Sequence, residues 1–305
     1  IVHPGPYYIG LRPRTYVSQA GEETQIDLVA VDWEGQRLPD QAVKVSFYLH
    51  EWINTFIENE SGGGQWRWDT QETLVDEMDV TTDQLGEAVS SFVPPKGGSY
   101  HVVAAPAIPS PETEHIRSSI YIWVSGEDYV SWRRENHDRI TLVSDRTSYE
   151  VGDTAEILIP SPFQAPHMAL VTVEREGIRR YETIEMASNS AIYRLPITEQ
   201  DIPNIYVSVV LITGRGTDVA AMKMGMLPLD VRPTPKTLTI DVEPDRTQAK
   251  PGEVVSYLLT ARDASGDPVE GAELTFDLVD KAVLSLRPRQ SDILSGFYAR
   301  RALQV

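Results

Sequence analysis

Apolar and polar residues alternate with a period of two along most of this chain. Ile26-Asp27-Leu28-Val29-Ala30-Val31-Asp32 alternates, Asp32-Trp33-Glu34-Gly35 turns, and Val43-Lys44-Val45-Ser46-Phe47-Tyr48-Leu49 alternates again, which predicts a half-buried β-hairpin. The device returns at 255–260, a turn at Asp263-Ala264-Ser265-Gly266-Asp267-Pro268, and 272–278. Glycine in such turns supplies positive φ and aspartate bonds its own backbone. Residues 89–93 and 101–105, flanked by turn-rich 82–88 and 94–100, read as later strands of the first unit, which 120–126 closes. Further strands are predicted near 155–159, 168–175, 181–186, 190–196, 207–213 and 226–232. Pro233-Thr234-Pro235 ends that series, since proline fixes φ and cannot donate to a ladder. Only 291–303 departs from period two: Ile293, Leu294, Phe297 and Tyr298 fall at helical spacing after a candidate N-cap, Ser291, with Gly296 weakening the helix.

A phrase repeats as well. Asp145-Arg146-Thr147-Ser148-Tyr149-Glu150-Val151-Gly152-Asp153 returns one hundred positions later as Asp245-Arg246-Thr247-Gln248-Ala249-Lys250-Pro251-Gly252-Glu253, and a looser copy stands at Arg14-Thr15-Tyr16-Val17-Ser18-Gln19-Ala20-Gly21-Glu22. That period exceeds the roughly 20–50 residues of a solenoid repeat and suits separately cored β-sandwiches. The expected architecture is all-β: tandem immunoglobulin- or fibronectin-like antiparallel sandwiches over 1–137 (including a polar connector from 127), 138–234 and 235–305. The third looks truncated, and the chain reads as an interior segment or a mature product.

Composition changes this picture little. Hydrophobic residues make up 41% and charged residues 24% of the 305, ordinary for packed domains. The net charge of -18 repels a phosphate backbone and argues against nucleic acid as a partner. The stretch 287–305 is the exception: Arg287, Arg289, Arg300 and Arg301 against Asp292 give +3, leaving -21 for the rest. By preference such a tail wets a helix or strand face; the alternatives are that it docks back on the acidic body or presents arginine bonds to a protease. Without cysteine there is no disulfide, thiolate metal ligand or thiol nucleophile, which leans toward a bacterial protein.

Candidate chemistry is sparse. Histidines 3, 50, 101, 115, 137 and 167 make no metal-ligand pattern, and His50-Glu51-Trp52 lacks a second histidine at helical spacing, so His50 reads as structural. No nucleophile elbow surrounds a serine, and Ser61-Gly62-Gly63-Gly64 reads as a loop tip and not a phosphate cradle. Glu72, Asp76, Glu77, Asp79 and Asp83 lack calcium-loop spacing and read as a solvated strand face. Trp52, Trp66 and Trp68 form either a sugar platform or, by preference, core or inter-domain packing. No catalytic, cofactor or metal residue is assigned, and no enzymatic activity or cofactor is expected.

Several longer phrases resemble the alpha-2-macroglobulin family, its bacterial branch above all. They are Gly126-Glu127-Asp128-Tyr129-Val130-Ser131-Trp132-Arg133-Arg134-Glu135-Asn136; Tyr149-Glu150-Val151-Gly152-Asp153-Thr154-Ala155 with Ser161-Pro162-Phe163; and Phe276-Asp277-Leu278-Val279-Asp280-Lys281-Ala282-Val283-Leu284-Ser285-Leu286 followed by Phe297-Tyr298-Ala299-Arg300-Arg301-Ala302-Leu303. The resemblance covers about 10–305. It implies macroglobulin-like domains, the third being the start of the bait-region domain. The implied role is a scaffold segment of a broad-spectrum endopeptidase inhibitor that encloses proteases after bait cleavage. The implied partners are proteases and sister domains of the same chain. The implied location is periplasmic or extracellular, with lipid anchoring in many members. A family thioester needs a cysteine and cannot lie in this segment. The rival readings are an adhesive or structural stalk of a bacterial surface protein and sugar-binding modules accessory to a hydrolase; the 279–286 phrase and the Trp132–Asn136 connector have no reason to occur in a stalk.

Overall fold

The computed structural model describes residues 5–59, 64–214, 221–250, 252–279, 282 and 293–304. The first unit holds β1 (Tyr7–Pro13), β2 (Val17–Gln19), β3 (Thr24–Asp32), β4 (Ala42–Glu58), β5 (Gly64–Thr81), β6 (Glu87–Phe92), β7 (Gly98–Pro106) and β8 (Ser118–Ser125). A three-stranded sheet ordered β1-β3-β6 faces a five-stranded sheet ordered β2-β8-β7-β4-β5. Inward residues of both meet in one core with Ile26, Phe47, Tyr100 and Ile122 fully buried, each worth about 1.5–3 kcal/mol of transfer free energy. Phe47 stacks on Phe92 at 4.3 Å, and Phe92 meets Tyr100 edge-on at 5.2 Å. Burial pushes the Tyr100 hydroxyl up to about 12 while it donates to the Lys96 carbonyl at 2.8 Å.

The predicted hairpin of 26–32 with 43–49 is corrected here. β3 pairs with β1 and β6, whereas β4 pairs with β5 and β7. After the turn only a single bridge, Val31 to Arg37, forms before the chain crosses to the facing sheet. Alternation marks inward positions equally well for neighbours in one sheet and for strands in opposed sheets, so it could not choose.

The second unit contains β9 (Val143–Ser144), β10 (Ser148–Tyr149), β11 (Thr154–Pro160), β12 (His167–Glu174), β13 (Ile178–Met186), β14 (Ser190–Pro196), β15 (Asn204–Thr213) and β16 (Ala221–Val231). Sheets ordered β10-β16-β15-β12-β13 and β14-β11-β9 enclose Tyr149, Ile157, Ile159, Leu195, Ile205 and Leu211. A 3-10 turn, Thr234–Lys236, follows at the proline-marked break.

The repeated phrase now has a structural meaning. In each copy it links two antiparallel partners: β1 with β3, β9 with β11, and β17 (Thr239–Pro244) with β18 (Tyr257–Arg262). Gly21, Gly152 and Gly252 take φ of 85°, 96° and 89°, which a side chain would resist. The next residue in each copy, Glu22, Asp153 and Glu253, donates its amide three residues back at 3.1 Å. In the first two copies the strand inside the phrase then runs parallel to the last strand of its unit, β2 with β8 and β10 with β16. The Asp32 and Asp263 turns also match: each Oδ1 accepts two backbone amides, from Glu34 and Gln36 at 2.9 and 2.8 Å and from Ser265 and Asp267 at 2.9 and 3.0 Å.

The third unit differs from expectation. Among the described residues it has only the β17-β18 ladder, and the predicted strand 272–278 forms none. Two strands cannot enclose a core; Ile240, Val242, Leu258, Phe276 and Leu278 are accordingly exposed. A short helix, Ile293–Phe297, forms where predicted, although its candidate cap Ser291 lies outside the described residues. His3, Ser61-Gly62-Gly63, Arg287, Arg289 and most of the 279–286 phrase also lie outside them.

Candidate functional site

The arrangement most suited to function is the joint between the two sandwiches. Beyond His50, β4 has left β7 and pairs with β5 alone, so the hairpin continues as a two-stranded arm. The connector, residues 127–138, has no regular secondary structure of its own and lies along this arm. Asn54 gives it strand-like pairing from a side chain: its Nδ2 donates to the Trp132 carbonyl at 2.9 Å and its Oδ1 accepts the Arg134 amide at 2.9 Å. Asn136 does the reverse, with Oδ1 accepting the Trp66 amide at 2.6 Å and Nδ2 donating to the Trp66 carbonyl at 3.0 Å. The Arg133 guanidinium carbon stands 3.8 Å from the Trp68 ring centre and 5.4 Å from Trp52, and that of Arg134 stands 4.6 Å from Trp66. Trp52, Trp66 and Trp68 thus pack against the connector, and Trp66 and Trp68 are covered by its arginines.

The second sandwich grips the same connector from the other side. Asn189, 2% exposed in the turn between β13 and β14, accepts the Val130 amide at 2.8 Å and donates to the Val130 carbonyl at 2.7 Å. Its own carbonyl accepts the Trp132 indole N–H at 3.0 Å. Val17, Val130, Trp132 and Leu158 then form a small buried core shared by connector and sandwiches. Gly97 and Gly126 pass so closely that a Cβ on Gly97 would stand 2.8 Å from the Gly126 nitrogen. The Tyr16 amide completes the contact by donating to the Asp145 carbonyl at 3.1 Å. Every buried connector amide made here would cost free energy if unpaired, so the joint holds one geometry.

A second contact ties the basic tail back. Asn204, fully buried, donates to the Arg301 carbonyl at 3.0 Å and accepts the Arg301 amide at 2.8 Å; the Tyr206 hydroxyl donates to the same carbonyl at 3.0 Å. Gly177 donates to the Gln304 carbonyl at 2.7 Å, and Arg301 and Arg300 pair with Glu176 at 2.7 Å and Asp230 at 3.3 Å. Of the three possibilities open for these arginines, docking on the acidic body is the one the described residues adopt.

Glu72 belongs to a third cluster. Its Oε1 lies 3.1 Å from His50 Nδ1 and 2.9 Å from His101 Nδ1. A carboxylate can only accept, so both Nδ1 atoms carry protons. Partial burial alone would raise the Glu72 carboxyl, but the hydrogen bonds and charges of the two histidines hold it below its ordinary range. A depressed folded pKa contributes stability above the unfolded value, about 4.3, and that contribution is lost as pH falls through the folded value. Acid titration of Glu72→Gln against the parent is therefore expected to show the difference in midpoint shrinking only at acid pH; a difference constant from pH 7 to 3 would refute the assignment. Among the described residues no group of three His, Cys, Asp or Glu side chains is placed to hold a metal ion. Asp76 and Asp83 bond nearby backbone amides and Glu77 pairs with Lys44 at 3.4 Å, as suits a solvated face.

Comparison with known proteins places these elements. A family description of the bacterial macroglobulin domain 6 matches residues 10–116, and one of the alpha-2-macroglobulin bait region domain matches residues 140–286. The two meet on either side of the connector. The chain belongs to the bacterial alpha-2-macroglobulin family. It is 24% identical, over 99% of its length, to an alpha-2-macroglobulin homolog of Nostoc sp., of which it covers 16%. It is 29% identical, over 58% of its length, to the alpha-2-macroglobulin of Ralstonia nicotianae, covering 11% of that protein. The chain therefore spans about a sixth or less of the curated relatives it matches. Among solved structures, native Escherichia coli alpha-2-macroglobulin aligns with 87% of the chain and 18% of its own at 18% identity, TM-score 0.36. Salmonella alpha-2-macroglobulin reacted with methylamine aligns with 99% of the chain and 20% of its own at 17% identity, also at 0.36.

Sequence reasoning missed Asn54, Asn136, Asn189 and Asn204, because a carboxamide that pairs with distant backbone carries no local pattern. The histidine–glutamate cluster had a usable signal. Centring a hairpin on Ser61 places His50 opposite Glu72, the observed register.

Proposed function

We propose that this chain is a scaffold segment of a broad-spectrum endopeptidase inhibitor that encloses proteases after its bait region is cut. It is not an enzyme. The observation that carries this reading is the bait region domain match across 140–286, directly beyond a sandwich joint built to keep one geometry. A trap of this kind needs a cleavable stretch attached to stiff parts, so that one cut changes how those parts sit. The joint supplies the stiffness: Asn189 and Asn54 fasten the connector from both sandwiches, and Trp132 fills the space between. In this reading 1–137 is one macroglobulin-like unit, the bait-region match takes in the second unit at 138–234 and runs on into the third at 235–305, and the partners are proteases and sister domains. Bacterial relatives named alpha-2-macroglobulin support a bacterial protein; the location in this reading, periplasmic or extracellular with any anchor outside this segment, follows from the family resemblance alone.

The test is made on the longer protein that carries this segment, incubated with trypsin and elastase. One discrete cut, a shift in native-gel mobility, activity kept on a small peptide and lost on a large protein substrate are expected. Cleavage with unchanged mobility and full activity on both substrates would favour the stalk. The 305-residue chain alone is expected to leave protease activity unchanged; stoichiometric inhibition by it would contradict the scaffold role.

A further inference from the structure

Between the two sandwiches, beside the connector, lies a cavity of about 460 Å³. That is the size of sites that take small organic ligands. Aromatic rings from three elements line part of it: Trp52 from the arm, Tyr121 and Trp123 from β8, and Trp132 from the connector. Pro160 and Pro162 of the second sandwich line it as well.

The charge at the rim is unlike that of the rest of the molecule. Arg133, Arg139 and Lys223 face one carboxylate, Glu135, which gives +2 at the cavity of a chain whose net charge is -18. Glu135 is taken by Arg133 at 2.9 Å. Lys223 donates to the carbonyls of Glu135 and His137 and approaches Asp138 at 3.8 Å. Arg139 is different: its side chain is exposed, and among the described residues its guanidinium has no ion-pair or hydrogen-bond partner. A free guanidinium beside an aromatic box selects a ligand with a flat apolar body and one anionic group, because the fork of N–H donors matches a carboxylate.

We propose that this cavity binds a small aryl carboxylate, its ring among Trp52, Trp123 and Trp132 and its carboxylate on Arg139. The site goes beyond the scaffold role. A ligand there touches both sandwiches and the connector, so occupancy stabilises the joint in the geometry described.

Calorimetric titration of the 305-residue chain with indole-3-acetate, and with the uncharged indole-3-acetamide, tests this. The acid is expected to bind one per chain and roughly tenfold or more tighter than the amide, the scale of one hydrogen-bonded charge. Arg139→Gln, an exposed change, is expected to remove the acid's advantage and leave the amide unaffected. Thr141→Phe, which fills the cavity from an exposed lining position, is expected to abolish binding of both. Absence of saturable acid binding, equal affinity of acid and amide, or unchanged binding to a folded Thr141→Phe chain would each overturn the proposal.

Discussion

Trp132→Ala is expected to lower stability by about 3–5 kcal/mol, the usual cost of emptying a large aromatic site. Trp132 is 9% exposed, packs with Val17, Val130 and Leu158 in the shared core, and donates its indole N–H to Asn189. Its loss removes contacts with both sandwiches at once and leaves the Asn189 carbonyl without its donor. The second expected consequence is decoupling. Scanning calorimetry should show the sandwiches melting together in the parent and as two separate transitions in the variant. Trp132→Phe keeps most of the packing and loses only the donor, so a smaller loss of about 1–2 kcal/mol is expected. A Trp132→Ala midpoint within the error of the parent, with one transition, would show that the joint is not held by this core.

Asn204→Ala is expected to release the basic tail and to raise trypsin cleavage after Arg300 and Arg301 by about 10- to 100-fold, since proteolysis follows the population of the opened segment. The carboxamide makes a two-way pair with the Arg301 backbone from a fully buried position. The surface pairs Arg301–Glu176 and Arg300–Asp230 are screened and hold the tail weakly once that pair is lost. Tyr206→Phe removes one further donor to the same carbonyl without touching the core and is expected to give a smaller rise, about threefold. Limited proteolysis read by mass spectrometry measures both. Equal cleavage rates in parent and Asn204→Ala would mean that the tail is held by its other contacts, the Gly177–Gln304 backbone bond among them.

Much of the architecture was legible before any coordinates. Period-two alternation located six strands of the second unit, with ends within one residue for β11, β12 and β14 but starts three to five residues late for β13, β15 and β16, and the repeat phrase found the glycine-bearing turn that each unit uses. The third unit was legible only in part: the Asp263 turn formed as predicted, while 272–278 did not become a strand because a ladder needs a partner and the described residues provide none. For the site, the connector phrase Trp132-Arg133-Arg134-Glu135-Asn136 was visible as an unusual segment, and the three arm tryptophans as candidates for packing. That the two belong together was not visible, since their contact spans about seventy residues or more of sequence.

The amino-acid sequence by itself determined which residues of the two sandwiches face inward, where the chain must take positive φ, and which family the chain belongs to. These are local properties: alternation is set by strand pleat, and a left-handed turn by the absence of a side chain. Tertiary structure alone decided that β3 and β4 lie in opposed sheets, that Glu72 joins His50 to His101, and that Asn54, Asn189 and Asn204 fasten distant backbone. Strand register and sheet partnership follow from packing between segments far apart in the chain, and the same inward-facing pattern satisfies several pairings until that packing selects one.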